Sequence, residues 1–97
     1  MEETAVREHA QAHGQATVEG DLNRAGQDLT KEAMAGAGAV MKEMPTPLKS
    51  AEIDSVEAAD DGFVVLIKYA GDDRSIVVRS RWVEHEGRPK IAELGIA

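Results

Sequence analysis

Apolar and polar residues alternate most regularly from Gly62 to Val83, where GFVVLIKYAGDDRSIVVRSRWV holds two strand-like runs around a turn. Phe63, Val65, Ile67 and Tyr69 share one side of the first run, and Val64, Leu66 and Lys68 the other. In the second run Ile76, Val78, Ser80 and Trp82 alternate with Val77, Arg79, Arg81 and Val83, so the stretch predicts a β-hairpin. A two-residue turn at Gly71-Asp72 or at Asp72-Asp73 keeps the same parity, and both registers build the same two faces. The chain's only Phe, Tyr and Trp lie on the first face. That face is the core side, because aromatic rings bury the most apolar area per residue.

Upstream the spacing becomes helical. From Thr4 to Val18, Ala, Gln and Glu are frequent, and Val6, His9 or Ala10, His13 and Thr17 fall on one side of a helix. Gly20-Asp21 reads as a stop followed by a start: glycine closes the first helix and Asp21 caps a second, with Leu22, Ala25 and Leu29 facing inward. Thr30 caps a third helix whose inner face is Ala33, Met34, Ala37, Val40, Met41 and Met44, and Pro45 marks its end. Gly36 and Gly38 sit inside this helix at a cost of about 1 kcal/mol each relative to alanine. Close packing on a neighbour justifies that cost. A phosphate loop would need these glycines between a strand and a helix start, with a lysine following, and the pattern here is helical throughout.

Pro45-Thr46-Pro47 forms a stiff connector, because each proline fixes its own φ and pushes its predecessor out of the helical region. A first strand follows around residues 50–58. It carries Ile53 and Val56 three apart, which a regular strand would place on opposite faces, so a bulge or an edge position is expected there. Asp60-Asp61-Gly62 turns the chain into the hairpin, Glu86-Gly87 makes another turn, and residues 88–94 give a fourth strand with Pro89 near its start. The sum is one α+β domain over residues 1–97, helical in 1–44 and an antiparallel four-stranded meander in 50–96, with the helices covering one face of the sheet.

Composition narrows the partners. A net charge of -7 and a pI near 4.8 argue against nucleic acid or an anionic membrane as partner of the whole surface. The longest apolar run, Phe63 to Ile67, is too short to span a bilayer. Met1-Glu2-Glu3 is acidic where a secretory signal is basic, and with no cysteine in the chain a cytoplasmic location is the simplest expectation. No motif calls for a cofactor or a metal.

Three stretches together resemble the nuclear transport factor two-like, or cystatin-like, α+β roll, a group that includes SnoaL-like and ketosteroid-isomerase-like proteins. They are the helix ending in Gly20-Asp21-Leu22, the helix leading through Pro47 into Ala51-Glu52-Ile53, and Val78-Arg79-Ser80-Arg81-Trp82 followed by Glu86-Gly87-Arg88-Pro89-Lys90-Ile91. The resemblance implies helices packed on the concave face of a curved sheet, frequent dimerisation, and a cone between sheet and helices that can hold a small molecule. No catalytic pair of the group matches residues here, so the resemblance carries over no catalytic role.

Candidate chemistry is sparse. His9 and His13 are four apart, the spacing at which two imidazoles reach one metal ion, but two ligands are not a site and the same spacing suits two histidines along a helix boundary. His85 is placed near a turn. Asp60, Asp61, Asp72 and Asp73 read as turn formers, without the alternating ligands and distal Glu of a calcium loop. Tyr69, Trp82 and His13 are candidates to line a ligand pocket, with core packing the simpler role for Trp82. On the opposite sheet face, Val64, Leu66, Val77 and Val83 among Lys68, Arg79 and Arg81 make more apolar surface than a solvated face usually carries, which points to a homodimer interface. Two functions stay open: a non-enzymatic homodimeric binding module, or a small-molecule-binding protein or SnoaL-like enzyme that uses the cone.

Overall fold

Three helices, α1 (Glu3–Val18), α2 (Leu22–Gly26) and α3 (Lys31–Glu43), precede four strands, β1 (Leu48–Ala59), β2 (Gly62–Gly71), β3 (Ser75–His85) and β4 (Arg88–Ile96). This is a computed structural model that describes every residue, Met1–Ala97. The strands form one antiparallel sheet in the order β1-β2-β3-β4, and the helices pack on one face of it.

The hairpin pairs Phe63 with Trp82, Val65 with Ser80, Ile67 with Val78 and Tyr69 with Ile76. The Gly71 N–H donates to the Arg74 carbonyl at 2.9 Å, which puts Asp72-Asp73 at the tip and selects the second of the two registers. β1 solves its spacing problem in both expected ways. It is an edge strand, and a bulge between Ile53 and Ser55 brings Ile53 opposite Ile67 and Val56 opposite Val65, on the core side. A bulge between Arg81 and Trp82 sets Ile91 opposite Trp82 within the core while Glu93 faces Arg81 outside. Glu86 and Gly87 both have positive φ, 53° and 82°, as a type I′ turn requires.

The helix ends follow their sequence signals. Gly20, with φ 76°, closes α1: its N–H donates to the Thr17 carbonyl and that of Asp21 to the Ala16 carbonyl, the paired bonds of a Schellman motif. The Asp21 carboxylate accepts from the Arg24 N–H, and the Thr30 hydroxyl accepts from the Ala33 N–H.

Two expectations about inner faces are corrected. Leu22 is 55% exposed, because α2 is a single short turn whose first residue lies at its rim. Met34 and Met41 are 54% and 42% exposed. At about 100° per residue they lie roughly 120° and 100° round the helix from Val40, whereas Ala33, Gly36 and Met44 lie within about 40° of it. The seating of Gly36 sets that orientation: a Cβ there would stand 2.3 Å from the Leu94 carbonyl oxygen, so α3 rests directly on the β4 backbone. Gly38 faces open space.

The core gathers Val6 and Ala10 of α1, Ala33 and Val40 of α3, and Val65, Ile67, Tyr69, Val78, Trp82 and Ile91 of the sheet. On the outer face Val64, Leu66, Val77 and Val83 are half-buried, while Lys68 and Arg79 are exposed. Arg81 is ion-paired within its own chain, to Asp61 at 2.9 Å and to Glu93. No helix is long and apolar enough to cross a membrane.

Candidate ligand pocket

The space between helices and sheet is not filled. A cavity of about 230 Å³ remains, bounded by all three helices and by β2, β3 and β4. Of its thirteen lining residues ten are hydrophobic, among them Leu29, Ala37, Val40, Met44, Val78 and Leu94. The exposed lining residues Leu22 and Met41 mark the mouth, between α2 and α3. Their exposure, unexpected for core positions, is what a rim requires.

The chemistry of the wall comes from His13, Thr17 and Tyr69, brought together because α1 lies across β2. Gly14 permits that approach: a Cβ there would stand 3.0 Å from the Ala51 Cβ and 3.9 Å from the Tyr69 hydroxyl. Thr17 donates its hydroxyl to the His13 carbonyl at 2.9 Å, so its proton is spent on the helix. Burial pushes the Tyr69 phenol up to about 12, against a smaller opposing influence of Thr17, and the hydroxyl therefore keeps its proton and remains a donor.

Behind His13, outside the lining, stands Asp28, which is fully buried. Its Oδ2 accepts from His13 Nδ1 and from Arg24, both at 3.1 Å, and its Oδ1 accepts from Arg88 at 3.2 Å. Burial alone would raise this carboxyl, but the hydrogen bonds from His13 and Arg24 and the positive charge beside it outweigh that and hold it below the ordinary 3.8. An ionised carboxylate only accepts hydrogen bonds, so the neutral His13 ring carries its proton on Nδ1 and keeps a lone pair on Nε2. The same residue clamps the helical corner to the sheet. The Asp28 carbonyl accepts from the Ile91 N–H at 2.7 Å, and the Thr30 N–H donates to the Ile91 carbonyl at 2.9 Å.

Of the residues expected at a pocket, His13 and Tyr69 line the cavity, and Trp82 does not. Trp82 lies one layer deeper, fully buried, with its ring edge-on to His13 at 6.1 Å and its indole N–H donating to the Ser80 hydroxyl. Ser80 passes that bond on to the Val65 carbonyl. His9 is half-buried and His85 exposed, and no group of three or more His, Asp or Glu side chains is placed to hold a metal ion.

Sequence reasoning missed Asp28, Arg24 and Arg88 as a cluster. One signal was available: Asp28 falls three residues after the inward Ala25, where the helical pattern calls for an apolar side chain, and Arg24 precedes it by four. No protein-family model, curated protein or solved structure matches the chain.

Proposed function

We propose that this chain is a small-molecule-binding protein built as a short nuclear transport factor two-like roll, and that its ligand occupies the cone between helices and sheet. The observation that carries the reading is the cavity of about 230 Å³ with its apolar lining and open mouth. An apolar cavity of about 150 Å³ suffices to take up benzene, so this one has room for a ring with substituents. A few polar groups on an otherwise apolar wall is how small-molecule sites fix orientation, and His13 and Tyr69 fill that role here.

Toluene tests it. Its titration is expected to shift the methyl resonances of Met41 and Met44, and Ala37→Phe, which fills the cavity, to abolish the shift while the circular dichroism stays native. An absence of shift in the unmodified protein sinks the reading, as does full binding in a folded Ala37→Phe variant.

A second reading concerns the opposite sheet face and is compatible with the first. We propose that Val64, Leu66, Val77 and Val83 meet the same residues of a second copy across a two-fold axis. Two-fold symmetry brings like charges together, and the pairing of Arg81 with Asp61 and Glu93 of its own chain removes one such conflict.

A further inference from the structure

The polar groups of the cavity are complementary in a way that restricts the ligand. Asp28 holds the proton of the neutral His13 ring on Nδ1, which leaves Nε2 as the unused nitrogen of a residue that lines the cavity. That nitrogen accepts a hydrogen bond and donates none. Tyr69, the other ring on the wall, keeps its hydroxyl proton and donates. Thr17 offers no proton, having given it to the His13 carbonyl. A group that satisfies both partners must donate to one and accept from the other, and among uncharged groups a hydroxyl does this with one atom. A carbonyl or ether only accepts. It would leave Nε2 desolvated beside an apolar ligand, and an unpaired buried acceptor is costly.

Size sets the rest of the molecule. Scaled from the cavity of about 150 Å³ that binds benzene, about 230 Å³ accommodates roughly nine non-hydrogen atoms. A carboxylate or phosphate ligand is disfavoured: no Lys or Arg lines the cavity, and Arg24 and Arg88 each hold an ion pair with Asp28.

Resting on the reading that the cone binds a small molecule, we infer that its ligand is an uncharged monocyclic alcohol or phenol whose hydroxyl donates to His13 Nε2 and accepts from Tyr69. The rest of the ring lies against Val40, Met44, Val78 and Leu94.

The test compares ethylcyclohexanol with ethylcyclohexanone, which share a carbon skeleton and differ in the ability to donate. Binding is read from Trp82 fluorescence, since that ring touches His13 edge-on, and toluene is titrated in parallel as the apolar reference. The alcohol is expected to bind about tenfold more tightly than the ketone, the worth of one hydrogen bond that the ketone cannot make. In a long-range nitrogen–proton spectrum the Nε2 signal of His13 is expected to move with the alcohol only, while those of His9 and His85 stay fixed. Equal affinity for alcohol and ketone, or a stationary Nε2 signal, overturns the inference and leaves the pocket standing if toluene binds. Failure of all three ligands overturns the pocket itself. Tyr69→Phe, which removes only an oxygen, is expected to weaken the alcohol and the ketone alike; an alcohol unaffected by it also overturns the assignment.

Discussion

Replacing Asp28 by asparagine tests whether the buried carboxylate holds the helical corner as its geometry requires. The substitution keeps size and one oxygen acceptor but removes the charge that three donors share. The His13 bond is buried on both sides, and a charge-assisted bond of that kind contributes about 1.5 to 3 kcal/mol. Arg24 and Arg88 are each more than a third exposed, at 39% and 43%, so solvent screens them to about 0.5 kcal/mol apiece. The total is about 3 kcal/mol. An unfolding entropy of about 2.1 cal/mol/K per residue over 97 residues makes 1 kcal/mol equal to about 5 °C, so Asp28→Asn is expected to lower Tm by about 15 °C near neutral pH. The pH dependence has a definite sign. The folded carboxyl ionises below 3.8, so its contribution is complete above the unfolded value and is lost as pH falls through the folded one. The gap between the two proteins should therefore close in acid as pH falls through the folded value, where the unmodified chain also comes to carry an uncharged group. Thermal melts followed by circular dichroism across that range measure it. A gap under about 2 °C at neutral pH, or one that persists unchanged in acid, would refute the reasoning.

Two glycines of one helix should respond in opposite directions. Gly36→Ala drives a methyl against the Leu94 carbonyl and is expected to cost about 1 to 3 kcal/mol, whereas Gly38→Ala meets nothing and should gain up to about 1 kcal/mol of helix propensity; urea melts of both variants decide, and equal effects would contradict the packing described. On the outer sheet face, light scattering after size exclusion is expected to find a dimer at micromolar concentration and Leu66→Asp to yield monomer, because the new carboxylate would be buried unpaired. A native species of ~10 kDa would end the dimer reading.

The sheet was legible in the sequence and the pocket only in part, for a physical reason. Alternation with period two leaves each strand one way to face the core, so Phe63, Val65, Ile67 and Tyr69 betray the hairpin, and even the Ile53/Val56 irregularity announces its bulge. The caps Asp21 and Thr30 are equally local. Asp28 is different: its partners His13, Arg24 and Arg88 come from three elements spread over most of the chain, and no local pattern encodes their meeting. The exposure of Met34 and Met41 was hidden for a related reason. A helix's apolar arc is wider than the face it finally buries, and the contact of Gly36 with β4, a tertiary event, decides which part turns inward.

Three of the chain's four methionines lie on or just beyond the last two turns of α3 or on its flank, with Met41 and Met44 at the cavity and Met34 beside the neighbouring groove. Thioethers are pliable, so such an entrance adapts to ligands of different outline. They are also the side chains most open to mild oxidation after cysteine, and a sulfoxide turns a flexible apolar arm into a polar one. In a chain without cysteine, oxidation at exposed Met41 would turn this rim from apolar to polar, and a methionine sulfoxide reductase would restore it.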